Sequence, residues 1–130
     1  MPKVLVIDDD EITLTLIQNI LQDEGCEVFS TADGPQGITI FKRQKPDLVL
    51  LDLGLPSMNG LEVLRKIRAL DGEAKVIVVT GYSSVESAEV AQRYGAFDYV
   101  KKPANYSDFL SRIRTALGIK PEEDVPPPRQ

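Results

Sequence analysis

The residues of this chain best suited to chemistry are carboxylates, a threonine and a lysine, and they stand at the ends of apolar runs. Val4-Leu5-Val6-Ile7 runs into Asp8-Asp9-Asp10, and Leu48-Val49-Leu50-Leu51 into Asp52. Val76-Ile77-Val78-Val79 ends in Thr80, and Phe97-Asp98-Tyr99-Val100 ends in Lys101-Lys102-Pro103. If the runs are neighbouring strands, Asp8, Asp9 and Asp52 share one small space, where like charges repel unless a cation neutralises them. A donor set made only of oxygens suits a hard divalent ion such as Mg2+, with Mn2+ as a substitute. A metal and the Lys102 ammonium could then hold the oxygens of an incoming phosphoryl group, with the Thr80 hydroxyl donating to one of them. A carboxylate oxygen can attack such a group and form an acyl phosphate. Asp52 ends the central run and is the candidate acceptor, while Asp8 and Asp9 sit at the edge of the site as candidate metal ligands.

Each residue taken alone also has an ordinary role. An aspartate after a strand commonly caps the next helix. Thr80 could be a plain strand residue and Lys102 a solvated charge. The set points to chemistry where the single residues do not, because every one of these strand ends carries a residue that complements the others.

Composition removes several rival chemistries. The chain has 130 residues and no histidine, which excludes Ser-His-Asp and Cys-His catalysis and histidine–metal sites within it. A net charge of −5 and a pI near 4.7 repel a nucleic acid backbone, so no direct nucleic acid binding is expected of this domain. The single Cys26 cannot form an internal disulfide, which fits a reducing cytoplasm, and beside Gly25 it reads as filler rather than nucleophile. No apolar run approaches the roughly 20 residues that cross a membrane, and Met1-Pro2-Lys3-Val4 lacks the layout of a signal peptide.

The elements that must position these residues follow from periodicity. Three of the runs, beginning at Val4, Leu48 and Val76, are apolar at every position, as in strands covered on both faces. Glu27-Val28-Phe29-Ser30 is a weaker strand. Between them lie helical patterns: Leu14, Leu16, Ile17, Ile20 and Leu21, ending near Gly25; Ile38 and Phe41 after Pro35; Leu61, Leu64, Ile67 and Leu70; a segment from Ser84 to Gly95; and Phe109, Leu110, Ile113 and Leu117. The alternation predicts an α/β domain, a doubly wound parallel sheet in the flavodoxin-like order 2-1-3-4-5. In that order the first and third strands meet at the topological switch point, which gathers Asp8, Asp9 and Asp52. Gly37 inside the second helix costs about 1 kcal/mol relative to alanine, with no reason evident in the sequence.

Val6-Ile7-Asp8-Asp9-Asp10, Asp47 through Pro56 with Asn59-Gly60, Val79-Thr80-Gly81 and Tyr99-Val100-Lys101-Lys102-Pro103 resemble the receiver domain of two-component response regulators. The resemblance spans about residues 3 to 118. It implies that Asp52 takes a phosphoryl group in trans from a histidine kinase or phosphotransfer protein. It implies Mg2+ held by Asp8, Asp9, Asp52 and the backbone carbonyl of Gly54, a phosphoryl group bound by Thr80 and Lys102, and a cis Lys102–Pro103 bond. It further implies that Thr80 and Tyr99 move together on phosphorylation and reshape the fourth helix, fifth strand and fifth helix, a surface that could also form a homodimer. Gly54 and Tyr82 occupy the positions that tune phosphoryl lifetime in the family, and neither is a usual choice. Leu55, Gly81 and Ala104 also depart from the family pattern.

The expected organisation is a receiver domain over 1–118 and a flexible, acidic, proline-rich tail or linker start over 119–130. Two other functions compete. An aspartate-nucleophile phosphatase of the haloacid dehalogenase type needs an acid two residues after the nucleophile, where Gly54 stands. A flavin or nucleotide binder needs a Ser/Thr/Gly-rich loop after the first strand, where Asp8-Asp9-Asp10-Glu11 stands.

Overall fold

The structure, a computed structural model, describes residues 1–81, 84–102 and 105–119. Strands and helices alternate as β1 (Lys3–Ile7), α1 (Glu11–Asp23), β2 (Glu27–Thr31), α2 (Gly34–Gln44), β3 (Leu48–Leu51), α3 (Gly60–Leu70), β4 (Val76–Thr80), α4 (Val85–Arg93), β5 (Asp98–Lys101) and α5 (Tyr106–Leu117). All pairings are parallel and the strand order is β2-β1-β3-β4-β5. This is the doubly wound order that the apolar alternation predicted.

The sheet divides the core in two. Val4, Val6, Leu48, Leu50, Ile77 and Val79 face α1 and α5, meeting Ile17, Leu21, Phe109 and Ile113. The alternate residues Leu5, Ile7, Val49, Leu51, Val76 and Val78 face α2, α3 and α4, meeting Phe41, Val63, Leu64, Ile67 and Ala91. Strands buried on both faces must be apolar at every position, which is why β1, β3 and β4 show no alternation. Each fully buried aliphatic side chain contributes about 1.5–3 kcal/mol. Cys26 is buried in the first of these layers. Burial, followed by the nearby Glu24 and Asp47 charges, pushes its thiol pKa up, so it packs as a small apolar group.

Gly37 has a packing explanation. A Cβ there would lie 2.5 Å from Cδ1 of Ile7, so α2 crosses β1 where a side chain must displace that of Ile7. Gly25 takes φ +80° just after α1, as its position suggested. Some apolar residues of the helical patterns lie outside the core. Leu16 is 58% exposed, because it stands about 100° round the helix from buried Ile17. Leu70 is 49% exposed, whereas Val63, absent from the helical pattern read in the sequence, is fully buried. Phe97 precedes β5 instead of opening it.

Tyr82, Pro103, Ala104 and the tail from Lys120 lie outside the described residues. The lifetime role at Tyr82, the cis Lys102–Pro103 bond and the character of the tail lie there with them. Among the described residues no helix is long and apolar enough to cross a membrane.

Candidate functional site

Strand register brings the site together. Ile7 pairs with Leu51, so the first residues beyond β1 and β3 are neighbours. The Asp52 amide donates to the Ile7 carbonyl at 2.9 Å, and the Asp8 amide to Thr31 at 3.0 Å. On the other side Thr80 pairs with Lys101, and the Lys102 amide donates to the Thr80 carbonyl at 2.9 Å. Four strands thus end at one edge, with Asp8, Asp52, Thr80 and Lys102 as their last or next residues.

Carboxylate oxygens of Asp8, Asp9 and Asp52 lie within 4.8 Å of one another. Asp8 and Asp52 are buried and Asp9 is exposed, so the cluster opens to solvent on the Asp9 side. Lys102 Nζ sits 2.8 Å from Asp8 Oδ2 and 3.3 Å from Asp52 Oδ2. The other oxygen of each buried carboxylate accepts from a backbone N–H two residues on. Asp10 donates to Asp8 Oδ1 at 2.9 Å, and Gly54 donates to Asp52 Oδ1 at 3.1 Å. Both carboxylates are therefore oriented in the same way, by their own loop and by a shared ammonium.

None of these acids caps a helix. Asp10 caps α1 by accepting from the Ile12 amide, and Asn59 caps α3 by accepting from Leu61. The capping explanation for Asp8, Asp9 and Asp52 is thereby removed, and those side chains are left to the shared space.

Electrostatics reflect one cation among several anions. Burial raises the Asp8 pKa despite its hydrogen bond to Lys102, with the Asp52 charge adding to the rise. Burial would lower the Lys102 pKa, but bonds and charges from Asp8 and Asp52 outweigh it, and the net shift is upward. The ammonium is firmly charged, and it leaves negative charge over for a further cation.

Gly60 shapes the loop that follows Asp52. A Cβ there would fall 2.4 Å from Leu53 Cα and 2.6 Å from the Asp52 carbonyl oxygen, so only glycine lets α3 begin against the loop. The sequence shows the glycine but not the contact that demands it. Thr80 is fully buried at the end of β4. Tyr99 lies apart from the carboxylates: it pairs with Val78, and its hydroxyl is 2.8 Å from Ser87 Oγ on α4. Ser87 was not singled out from the sequence, where it reads only as part of a helix start.

The sequence profile described as the response regulator receiver domain matches residues 4–114. The chain belongs to this family. Sporulation initiation phosphotransferase F of Bacillus subtilis is 30% identical to this receiver over 118 residues, covering 91% of this chain and 95% of the relative. The DNA-binding response regulator MtrA of Mycolicibacterium smegmatis is 36% identical over 124 residues. The receiver spans 95% of its own length in that match but only 53% of MtrA, about half. Among solved structures, a CheY-like receiver domain protein from Methanospirillum hungatei superposes with a TM-score of 0.87 at 36% identity, covering 91% of this chain and 94% of the other. A CheX–CheY complex from Borrelia burgdorferi, solved with BeF3 and Mg2+, gives a TM-score of 0.83 at 27% identity, with 91% and 90% covered.

Proposed function

We propose that this receiver is a phosphorylation-switched signalling module in which Asp52 accepts a phosphoryl group from a phosphohistidine of a histidine kinase or phosphotransfer partner acting in trans. The observation that carries the proposal is the buried pair Asp8 and Asp52 sharing the Lys102 ammonium, with Asp9 completing an oxygen-only donor set. Such a set fits Mg2+ or Mn2+, held by Asp8, Asp9, Asp52 and the carbonyl of Gly54. Bound there, the ion would supply positive charge to the phosphoryl oxygens. A solved relative that carries BeF3 and Mg2+ supports the same ligand chemistry here.

The residues of the chain divide the work. An Asp52 oxygen attacks phosphorus as the bond to the donor nitrogen breaks, giving an acyl phosphate, and the freed nitrogen keeps the electron pair and takes a proton from solvent to leave a neutral imidazole on the donor. Lys102 neutralises the transferred group, and the Thr80 hydroxyl donates to one of its oxygens. Thr80 and Tyr99 then relay the change to α4, β5 and α5, the proposed output and homodimer surface. An apolar groove formed by Leu16, Ile17, Ile20, Val79, Tyr106 and Phe109 reaches Lys102, which supports docking of the donor beside the acceptor. Gly54 and Tyr82 are the proposed lifetime-setting positions, residues 1–118 the receiver unit, 119–130 the tail, and the cytoplasm the compartment. Gly54 supplies no acid for turnover, which favours a phosphoacceptor over a phosphatase.

The experiment is incubation with acetyl phosphate and Mg2+, read by intact mass. One added phosphoryl group is expected for the unaltered chain and none for Asp52→Asn. Full labelling of the Asn variant, or sustained release of phosphate well beyond one equivalent, sinks the reading.

A further inference from the structure

The face formed by α2 and α3 carries charge opposite in sign to the molecule. With the caps of both helices counted, Lys42, Arg43, Lys45, Arg65, Lys66 and Arg68 stand against Asp33, Glu62 and Asp71, in a chain of net charge −5. Arg65 pairs with Glu62, and Arg68 donates to the Ala74 carbonyl. The ammonium groups of Lys42, Lys45 and Lys66 have neither an ion pair nor a hydrogen bond among the described residues.

These three lysines do not simply decorate a polar surface. They line two adjoining cavities of about 510 and 420 Å³ between the helices, which share Lys42 and Leu70. Apart from Asp71 at the end of the second cavity, the rest of the lining is largely apolar, with Ile38 and Met58 in the first and Phe41 and Pro46 in the second. Leu70 is half exposed where the two meet. An α3 of 11 residues is about 16 Å long, enough to run beside three turns of a helix.

We propose that this furrow docks an acidic amphipathic segment of a partner protein. Carboxylates of the segment pair with Lys42, Lys45 and Lys66, and its apolar side chains cover Leu70, Ile38 and Met58. Charge complementarity selects this occupant. A nucleic acid would meet an apolar lining within an acidic molecule. A second copy using the same face would set lysine against lysine across a two-fold axis. The furrow lies on the sheet face away from α1 and α5, so a partner here leaves the groove beside Lys102 free. The proposal goes beyond phosphoryl transfer and does not depend on Asp52.

The test uses the full chain labelled with 15N and a synthetic helical peptide with glutamates on one face and leucines on the other. Saturable amide shifts are expected at Ile38, Lys42, Lys66 and Leu70, weakening as salt rises. Replacing the peptide's glutamates with lysines is expected to abolish the shifts. Lys42→Glu with Lys66→Glu should weaken binding roughly tenfold or more. The salt titration needs no variant and stands even if the double variant folds poorly. Shifts centred elsewhere, equal shifts with the lysine peptide, or insensitivity to salt would overturn the proposal. So would concentration-dependent shifts without peptide that Lys42→Glu removes, since the occupant would then be a second copy.

Discussion

The Tyr99 hydroxyl lies 2.8 Å from Ser87 Oγ, which ties the β5 aromatic to the first turn of α4. Ser87 Oγ also accepts from the Ser84 amide, and Ser84 Oγ accepts from the Ser87 amide, a reciprocal cap. Caps of this kind contribute about 0.5–2 kcal/mol. Ser87→Ala removes the half of the cap that holds the Ser84 amide, together with the tyrosine contact, whereas Tyr99→Phe removes only the contact. Hydrogen exchange at the Ser84 and Ala88 amides should therefore quicken most in Ser87→Ala and less in Tyr99→Phe, with no change at the amides of α2. Equal exchange in Ser87→Ala and the unaltered chain would falsify the link.

The acidic cluster leads to a prediction about metal and stability. An ion that binds only the folded chain stabilises it by about 2.7 kcal/mol at a hundred times its Kd. Mg2+ should therefore raise the melting temperature, read by circular dichroism. Asp9 is exposed, so Asp9→Asn should leave the metal-free melting temperature nearly unchanged while removing most of the Mg2+ effect. A melting temperature that Mg2+ does not move, or one that moves equally in Asp9→Asn, would count against the metal reading.

Much of this site was readable in the sequence because its signal is local. A strand covered on both faces is apolar throughout, so a polar residue at its end stands out, and strand order then assembles Asp8, Asp9, Asp52 and Lys102. What could not be read depends on contacts between distant segments. Gly37 answers to Ile7, on a different element. Ser87 next to Ser84 reads as a helix start, and only the packing of α4 on β5 gives it Tyr99. Leu70 continues the helical pattern of α3, yet it sits where the neighbouring helix fails to cover it.

Gly37→Ala sets local preference against packing. Alanine gains about 0.8–1.0 kcal/mol in helix propensity, but overpacking costs typically about 1–3 kcal/mol. The clashing atom is Ile7 Cδ1, the end of a side chain with little room to turn. A net loss of stability is expected in urea. Ile7→Val removes that atom at a cost of about 0.5–1.5 kcal/mol. In a chain already carrying Ile7→Val, the glycine-to-alanine change should then cost less, with Cγ1 of residue 7, 2.9 Å from the new Cβ, as the remaining close contact. Strict additivity of the two changes would show that the close approach is not what keeps Gly37.

Gly60→Ala meets backbone instead of a side-chain tip. The new Cβ would press on Leu53 Cα and on the Asp52 carbonyl, neither of which can swing aside. The start of α3 must then retreat from the loop, or the loop must shift, and that loop carries the Gly54 amide that holds Asp52 Oδ1. Asn59 still caps the helix, so α3 itself should persist. The expected result is weaker Mg2+ binding and slower labelling by acetyl phosphate, with the helical circular dichroism signal retained. Calorimetric titration with Mg2+ reads the first effect directly. An unchanged Mg2+ affinity in a folded Gly60→Ala chain would mean that the loop reaches its geometry without the close approach.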